Sequence, residues 1–319
     1  MNPKKVLLIG GSGFVGGWIA NRLSERGIRV TIPTRRRDHT KQLILLPTVH
    51  MVEADVHDPK VLASLMQGVD AVINLVGILH DKDSRAPYGK HFAAAHVELP
   101  RKILEAMQQV GVRRLVHMSA LRASADAPSA YLRSKAAGET LVLGASKDLD
   151  VTVFRPSVIF GHDDSFLNTF ATLLRLFPVL PMGGTEARFQ PVYVGDVADA
   201  FVDVLGKPAT FGQAYALCGP KVYTLRELVE YTGVLIGKRR LVIGLPSALA
   251  YLQAGFLSLL PNPPMSPDNL RSMQLDSVSD GLSDYPGWQP QPLEAIAPTY
   301  LAVVKPRQRL DGYRCRAGR

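Results

Sequence analysis

The chain has 319 residues, of which 46% are hydrophobic and 20% charged, a balance that excludes a disordered protein and is typical of a soluble globular protein with a sizeable core. Its two cysteines, Cys218 and Cys315, lie far apart and lack the spacing of metal ligands, which argues against a disulfide framework or a metal site and favours a reducing compartment. The net charge of +9 does not indicate a nucleic-acid partner, because no segment interleaves basic with aromatic side chains.

The first half of the chain alternates short apolar runs with amphipathic helical stretches. The opening, Met1 to Lys5, passes directly into the first short apolar run and lacks a secretory signal, so we expect a cytoplasmic protein. The predicted strands are Val6–Ile9, Arg29–Ile32, Val49–Glu53, Ala71–Leu75, Leu115–Met118 and Val151–Phe154. The predicted helices are Val15–Glu25, Pro59–Met66, Ala93–Val110 and Tyr131–Leu143. This alternation predicts an α/β fold with a doubly wound parallel sheet of the Rossmann type.

A glycine-rich loop follows the first predicted strand and opens the first predicted helix. Its glycines are Gly10, Gly13 and Gly16, each three residues after the last. A phosphate needs backbone N–H groups at a helix N-terminus, and a Cβ at these positions would obstruct the tight turn and the ligand. The loop therefore predicts a dinucleotide-binding site, whose residues are Gly10, Ser12, Gly13, Phe14, Val15 and Gly16.

The end of the second predicted strand bears on the choice of cofactor. An NAD-binding site places an acidic residue there, whereas this chain has Arg35, Arg36 and Arg37 and no acid before Asp38. Guanidinium groups bind phosphate through paired hydrogen bonds. We therefore expect Arg35, supported by Arg36 or Arg37, to bind the 2′-phosphate of NADP(H), with NAD(H) as the second choice of cofactor. A solvated basic loop is the alternative interpretation of these arginines.

The regular pattern ends after residue 156, where loops rich in Gly, Pro and Asp begin. We predict a dinucleotide-binding domain over residues 1–160, to which residues 192–205 return. A smaller, irregular C-terminal lobe over residues 161–304 is expected to contact the substrate or a partner.

Two helices are predicted in this lobe. Thr224 and Glu227 have the spacing of a capping box, which predicts a helix over Leu225–Ile236. The apolar segment Ser247–Leu260 has ordinary core patterning and predicts a buried helix, with an interfacial helix or the wall of an apolar substrate pocket as the alternatives. The residues that share its apolar face are Leu249, Leu252, Phe256, Leu257 and Leu260.

Residues 305–319 form a basic tail with six cations and one acid. Chain ends are usually solvated, and we expect the same of this one. Attraction to anionic lipid at the inner face of a membrane, or to an acidic partner, is the alternative.

Further motifs stand after the predicted strands. They are Asp55-Val56, Asn74-Leu75-Val76-Gly77, Tyr131-Leu132-Arg133-Ser134-Lys135, Arg155-Pro156 and Val192-Tyr193-Val194-Gly195-Asp196-Val197-Ala198. With the glycine loop, they resemble the short-chain dehydrogenase/reductase superfamily in its extended and atypical branches, over most of the chain. The resemblance implies that Asp55 and Val56 hold the adenine ring and that Val76 and Gly77 lie on the nicotinamide side.

Tyr131 and Lys135 match the Tyr-x-x-x-Lys motif of that superfamily. Four residues apart on a helix, both side chains share a face. We therefore expect the Lys135 ammonium to lower the pKa of Tyr131 from about 10 towards neutral pH while it holds the nicotinamide ribose. Tyr131 then serves as a general acid or base. A surface tyrosine and lysine is the alternative interpretation.

The hydroxyl that polarises the substrate in this superfamily is expected from Ser119, at the end of the fifth predicted strand. The extended branch commonly carries it one residue later, where this chain has Ala120, and Ser124 in the following loop is a second candidate. A fourth position of the superfamily, often Asn, corresponds to His96. Its expected role is that of a structural or a proton-relay histidine.

A narrower resemblance extends into the second lobe. The segments that carry it are His117–Leu121, Phe189–Val194, Cys218–Pro220 with Tyr223–Leu225, and Leu260–Pro264. Together they are similar to the atypical group that contains the nucleotide-binding accessory subunit of mitochondrial complex I and bacterial epimerase/dehydratase-like proteins. This resemblance implies tight NADPH binding with little turnover, and an association with quinone or respiratory membranes.

Two functions follow. The first is an NADP(H)-dependent reductase, dehydrogenase or epimerase-like enzyme that acts on a small carbonyl compound, a sugar nucleotide or a quinone-like substrate. The second is a weakly active or non-catalytic NADPH-binding protein that supports a respiratory complex or a quinone pathway. Tyr131 and Lys135 favour the first function, and Ala120 with the narrower resemblance favours the second.

Overall fold

A seven-stranded parallel sheet forms the centre of the molecule. The computed structural model describes residues 3–35, 43–83, 85–260, 263–279 and 285–302. The strands are β1 (Lys5–Ile9), β2 (Arg29–Thr34), β3 (Val49–Glu53), β4 (Ala71–Asn74), β5 (Arg114–Met118), β6 (Asp150–Pro156), β7 (Ile159–Phe160), β8 (Val179–Met182), β9 (Arg188–Phe189), β10 (Val192–Tyr193), β11 (Gln213–Leu217), β12 (Tyr223–Thr224) and β13 (Leu241–Gly244). The central sheet has the order β11-β6-β5-β4-β1-β2-β3.

Helices cover both faces of this sheet and build the second lobe. They are α1 (Phe14–Glu25), α2 (Pro59–Met66), α3 (Lys90–Ala93), α4 (Leu99–Val110), α5 (Ala130–Gly144), α6 (Leu167–Leu176), α7 (Val194–Asp203), α8 (Leu225–Leu235), α9 (Ser247–Leu257), α10 (Pro267–Ser272) and α11 (Leu293–Leu301). A π-helical turn, Ala94–Glu98, joins α3 to α4. The helix predicted over Ala93–Val110 is therefore a longer, continuous run that begins at Lys90 and contains this turn.

The predicted fold class is confirmed, with all the strand pairs of the central sheet parallel. All six predicted strands are present in the central sheet, but the prediction missed the seventh strand of that sheet. The seventh, β11, is an edge strand whose one partner among the described strands is β6 and whose side chains are mostly part-exposed. Because it is covered less than the inner strands, it lacks the continuous apolar run by which they were recognised.

Two apolar clusters hold the helices onto the sheet. One lies between the sheet, α1 and α7, where Ile19 and Leu23 meet Val197 and Phe201. The other lies on the opposite face, beneath α2, α4 and α5. Full burial of a single large aliphatic or aromatic side chain contributes about 1.5–3 kcal/mol.

The chain order in the sheet reverses at β1, which lies between β2 and β4. Loops that leave β1 and β4 therefore depart on opposite faces and open a crevice at the carboxyl ends of the strands. In doubly wound sheets this switch point is where ligands bind. It is also where the glycine loop leaves β1.

The second lobe contains a third apolar cluster, formed by α6, α8, α11 and the β8–β13 pair. The predicted capping box is confirmed, since the Glu227 amide donates to Thr224 Oγ1 at 3.2 Å and the Thr224 amide donates to Glu227 Oε2 at 2.7 Å. No helix within the described ranges is both long and apolar enough to cross a bilayer.

The prediction that Ser247–Leu260 forms a buried helix was wrong. Among the residues of α9, all of them described, only Ala250 and Ala254 are buried. Leu249, Leu252 and Phe256 are exposed instead. The periodicity was interpreted correctly as helical, but the helix packs through its small residues and leaves the large ones outside.

Candidate functional site

The glycine loop joins β1 tightly to α1. Gly10 has a φ of +81°, which favours glycine, and its carbonyl accepts the Gly13 amide at 3.1 Å. A Cβ on Gly16 would lie 2.5 Å from the Cα of Gly11 and 2.6 Å from the carbonyl oxygen of Gly10. Because these obstacles are backbone atoms, Gly16 permits an approach of helix to loop that no other residue would allow.

The amino end of α1 is open to solvent. Gly13 is the N-cap and supplies no side-chain cap, while Ser12 and Gly13 are both exposed. Phe14 and Val15 begin the helix and are half-buried. The first N–H groups of α1 are thus available to an anion, which the helix dipole also favours.

The predicted adenine-side residues lie at the ends of β2 and β3, which pair through Thr34 and Glu53. Arg35 follows β2 and is exposed, whereas Arg36 lies outside the described residues. Asp55 follows β3, is exposed, and accepts the His57 amide at Oδ1 at 2.9 Å. Val56 packs against the apolar cluster beneath α2. The roles of these residues in holding a dinucleotide stay predictions.

The loop after β4 is held by side chains below it. Asn74 accepts the Val76 amide at Oδ1 at 3.1 Å, and its amide nitrogen lies 3.2 Å from Nδ1 of His117. A Cβ on Gly77 would lie 3.8 Å from the Lys135 ammonium nitrogen. The structure therefore brings the predicted nicotinamide-side loop directly against the predicted catalytic helix.

His96 links this loop to the same helix. Its Nε2 accepts the Ile78 amide at 3.0 Å, so the hydrogen is on Nδ1, which donates to Ser134 Oγ at 2.8 Å. Ser134 Oγ in turn donates to the carbonyl oxygen of Tyr131 at 2.7 Å. Both ring nitrogens are thus used within the protein, which favours the structural role of His96 over a proton relay.

The neutral state of His96 has a consequence for stability. Burial, helped by the nearby Lys135 ammonium and by His117, lowers the pKa of His96 to about 2, against 6.5 for an exposed histidine. Unfolding below pH 6.5 therefore takes up a proton, and the free energy of unfolding falls as the pH decreases, by up to about 1.4 kcal/mol per pH unit for this residue. Urea unfolding at several pH values between neutral and mildly acidic measures the slope of the free energy of unfolding against pH.

The matched variants for this pH dependence are His96→Asn and His50→Asn. His96→Asn is expected to reduce the slope, because asparagine takes up no proton. His50 is exposed, so His50→Asn is expected to leave the slope unchanged. Equal slopes in the unmodified protein and His96→Asn would contradict the assignment of a neutral His96.

Lys135 and Tyr131 lie one turn apart on α5, as predicted from their spacing. The Lys135 ammonium donates to the carbonyl oxygen of Met118 at 2.6 Å. Burial lowers the pKa of Lys135 to about 8, although the Glu139 carboxylate opposes this change. Lys135 is therefore a buried cation at the end of β5, beside Gly77.

The pKa of Tyr131 moves in the opposite direction to the prediction. Burial raises it to about 12, and the Lys135 ammonium, which binds the Met118 carbonyl, does not lower it in this structure. The ring of Tyr131 packs edge-on against His96, with centroids 5.7 Å apart. The phenol is therefore protonated at neutral pH and available as a proton donor.

Ser119 lies between the contacts of these two residues. It follows Met118, to which Lys135 donates, and precedes Ala120, which belongs to the small apolar cluster against which Tyr131 packs. Ser119 is buried, and its Oγ has no hydrogen-bond partner among the described residues. An unpaired buried hydroxyl costs about 1–3 kcal/mol, so this group is well suited to a ligand. Ser124, by contrast, lies in an exposed turn.

Asp268 is a residue of this region that the sequence did not reveal. Its carboxylate, carried by α10 of the second lobe, accepts the amides of Ala130 and Tyr131 at 2.9 and 3.0 Å. A carboxylate at a helix N-terminus stabilises that helix. Ser266 and Asn269 form a capping box at the start of α10, but no local signal indicated that α10 also caps α5.

Comparisons with known proteins agree with this geometry. The model of the NAD dependent epimerase/dehydratase family matches residues 6–218. The mitochondrial NADH dehydrogenase (ubiquinone) 1 alpha subcomplex subunit 9 of Mus musculus is 32% identical over 298 residues, which cover 90% of this chain and 77% of that protein.

Two solved structures share the fold. Epimerase Mth375 of Methanothermobacter thermautotrophicus superposes with a TM-score of 0.68 at 20% identity, over 77% of this chain and 80% of that one. The dTDP-glucose 4,6-dehydratase of Bacillus anthracis, in complex with NAD, has a TM-score of 0.63 at 19% identity, over 76% and 85%. The resemblance to the extended, epimerase-like branch and to the complex I subunit group is confirmed, and the chain belongs to the NAD dependent epimerase/dehydratase family.

Proposed function

We propose that this protein is an NADP(H)-dependent oxidoreductase or epimerase-like enzyme. The observation that carries the proposal is the unpartnered, buried hydroxyl of Ser119, which lies between the contacts of Tyr131 and Lys135 at the carboxyl edge of the sheet. The family of the chain and its glycine loop support a dinucleotide at the same edge.

The residues present fit a dinucleotide. The open end of α1 suits the pyrophosphate, and Gly16 keeps the loop free of a Cβ. Arg35 would bind the 2′-phosphate, which favours NADP(H) over NAD(H). The adenine end would lie against Asp55 and Val56. The nicotinamide side would lie against Val76, Gly77 and Lys135. When bound, the nicotinamide supplies hydride transfer.

The chain's own residues provide acid catalysis and orientation. Tyr131, protonated at neutral pH, donates its phenolic proton to the substrate oxygen in the direction of reduction and removes it in the direction of oxidation. Ser119 Oγ donates a hydrogen bond to the same oxygen and polarises it. Lys135 orients the ribose. His96 and Asp268 hold α5 in place.

The proposed substrate is a small carbonyl compound, a sugar nucleotide or a quinone-like molecule. The sugar-nucleotide class is supported by the fold shared with the dTDP-glucose dehydratase. The quinone-like class is supported by the similarity to a subunit whose name includes ubiquinone.

The identity of the nucleotide that copurifies with the protein tests the cofactor assignment. We expect NADP(H), released on denaturation and identified by mass spectrometry. Arg35→Ala is expected to weaken NADPH binding by about tenfold to a hundredfold, since a hydrogen bond to a charged group contributes about 1.5–3 kcal/mol. Its effect on NADH binding is expected to be small. Isothermal titration with both nucleotides measures the two affinities.

Arg29→Ala is the matched control, because Arg29 is also exposed but stands at the opposite end of β2. It is expected to bind both nucleotides as the unmodified protein does. Equal losses of NADPH and NADH affinity in Arg35→Ala would count against a 2′-phosphate contact.

A second candidate function is a nucleotide-binding subunit with little turnover, associated with a respiratory complex. Ala120 favours it, because a buried methyl group of the cluster against which Tyr131 packs stands where the extended branch carries a hydroxyl. The similarity to the mouse subunit, which covers most of both chains, also favours it. It predicts strong thermal stabilisation by NADPH together with no turnover of carbonyl, sugar-nucleotide or quinone substrates.

A further inference from the structure

Helix α9 buries its small residues and exposes most of its large apolar residues. Its small residues Ala250 and Ala254 are buried against Leu270 and Met265 of the following segment. The large residues of its other face are exposed, with Leu252 at 59% and Phe256 at 67% of their full accessibility. We define the α9 stripe as Leu249, Leu252, Phe256 and, just beyond the helix, Leu259.

A second apolar surface adjoins the α9 stripe. The paired strands β8 and β13 bury Leu180 and Val242 on one face and expose the alternate residues on the other. The exposed residues are Val179, Pro181, Leu241 and Ile243. We call these four residues, together with the α9 stripe, the apolar face.

Hydrogen bonds hold the two parts of the apolar face together. Gln253 of α9 donates its side-chain amide to the carbonyl oxygen of Pro181 at 2.8 Å. The amide of Leu245, between β13 and α9, donates to Met182 at 3.0 Å. Gly183 lies against Ala250, so closely that a Cβ there would approach that side chain to 2.4 Å. The apolar face is thus one continuous part of the second lobe.

The segments that build the apolar face carry charges of a single sign. Residues 167–183 and 234–260, which build it, contain no aspartate or glutamate. Their cations are Arg175, Lys238, Arg239 and Arg240. Arg175, Lys238 and Arg239 are exposed, and Arg240 donates to the carbonyl oxygen of Leu174 at 3.3 Å. The acids nearest to these segments along the chain are Asp164, which is buried, Glu186, which is paired with Arg226 at 3.2 Å, and Glu230, which is exposed on α8.

We propose that the apolar face docks on the surface of an anionic lipid bilayer. Its leucines, isoleucine, valine and phenylalanine would enter the boundary between headgroups and acyl chains, and the cations would lie among the lipid phosphates. Interfacial helices show this combination of a large apolar face and basic flanks. Docking of this kind requires no helix that spans the membrane.

The charges favour lipid over the other occupants of such a surface. A second copy of the chain, joined by a two-fold axis, would bring one set of four cations against another, which costs free energy. Protein interfaces usually surround their apolar centre with a polar rim that pairs charges of both signs. The apolar face has only one sign to offer, and it matches lipid phosphates.

Vesicle flotation of the full chain tests the proposal. The vesicles contain either phosphatidylcholine alone or phosphatidylcholine mixed with phosphatidylglycerol. We expect binding to the mixed vesicles that weakens with salt. Leu252→Gln combined with Phe256→Gln, and separately Lys238→Gln combined with Arg239→Gln, are each expected to weaken binding by about tenfold or more. Leu45→Gln, at an exposed leucine remote in sequence, is expected to have no effect.

A depth measurement distinguishes the apolar face from the rest of the chain. The emission of a tryptophan introduced by Phe256→Trp is expected to be quenched by brominated lipid, whereas one introduced by Leu45→Trp is not. All substituted side chains are exposed, and a thermal melt with NADPH checks that each variant is folded and keeps its cofactor site. The thermal melt therefore reports cofactor binding, and flotation and quenching report lipid binding independently of it.

Three results would overturn the proposal. Vesicle binding that survives both double substitutions would assign it to another part of the chain, such as the basic tail. Absence of binding to the mixed vesicles by the unmodified protein would remove the proposal altogether. An oligomer in sedimentation velocity that dissociates in the Leu252→Gln and Phe256→Gln variant would identify the apolar face as an interface between copies.

Discussion

Replacement of Tyr131 by phenylalanine is expected to reduce turnover by about a hundredfold to ten-thousandfold, because the proton donor of the site is removed. Binding of NADPH is expected to change little, since the Tyr131 hydroxyl makes no hydrogen bond to any described residue and the ring packing on His96 is retained. Single-turnover oxidation of bound NADPH with the substrate found in a carbonyl, sugar-nucleotide and quinone panel measures the rate. Isothermal titration measures the affinity for NADPH.

Tyr231→Phe is the matched control for this prediction. Tyr231 lies on α8 in the apolar cluster of the second lobe, and its substitution is expected to leave the rate unchanged. If Tyr131→Phe turned over as fast as the unmodified protein, the assignment of Tyr131 as proton donor would be wrong. A protein with no turnover before substitution would instead support the second candidate function, and NADPH binding by both variants would then be the remaining readout.

Replacement of Gly138 by alanine is expected to destabilise the protein and disturb the site together. A Cβ on Gly138 would lie 1.9 Å from the carbonyl oxygen of His96 in the π-helical turn. Both partners are backbone, so α5 must move away from the turn. We expect the free energy of unfolding to fall by about 1–3 kcal/mol or more. Stabilisation by NADPH should also decrease, because α5 carries Lys135 beside Gly77.

The sign of the effect makes this prediction informative. Alanine in place of glycine ordinarily stabilises a helix, by about 0.5–1 kcal/mol. Gly144, on the same helix, has no atom within 4 Å of its Cβ position, and Gly144→Ala is expected to be neutral or stabilising. Urea unfolding of both variants, with and without NADPH, measures the difference. A stable Gly138→Ala variant would show that α5 does not pack closely on the π-helical turn.

The elements that could be predicted are those with a local cause. Strands and helices of the central sheet follow from apolar runs and from three- and four-residue spacing, and α2 and β3 have the bounds that were expected. Edge strand β11 escaped prediction because its sequence, Gln213–Leu217, contains no β-branched residue, whereas the other edge strand, β3, contains Val49 and Val52.

The candidate site could be assembled from the sequence only in part. Glycine spacing and Tyr131 with Lys135 identified which residues to consider, since a turn or a helix places them at known intervals. The predicted direction of the Tyr131 pKa shift was wrong, because the shift depends on burial and on which group the Lys135 ammonium binds. The unpartnered Ser119 hydroxyl depends on everything packed around it.

What the sequence by itself determined is the α/β alternation and the glycine loop at the entry to α1, because each arises from contacts between residues close along the chain. The parallel sheet followed from that alternation, because a helix between two strands returns the chain to the same end of the sheet. Only the tertiary structure decided that Asp268 caps α5, across 137 and 138 positions of sequence. It also decided that α9 packs through Ala250 and Ala254 and exposes its leucines. Periodicity shows that a helix has an apolar face, but which face is covered depends on partners that are distant in sequence and meet only in the folded chain.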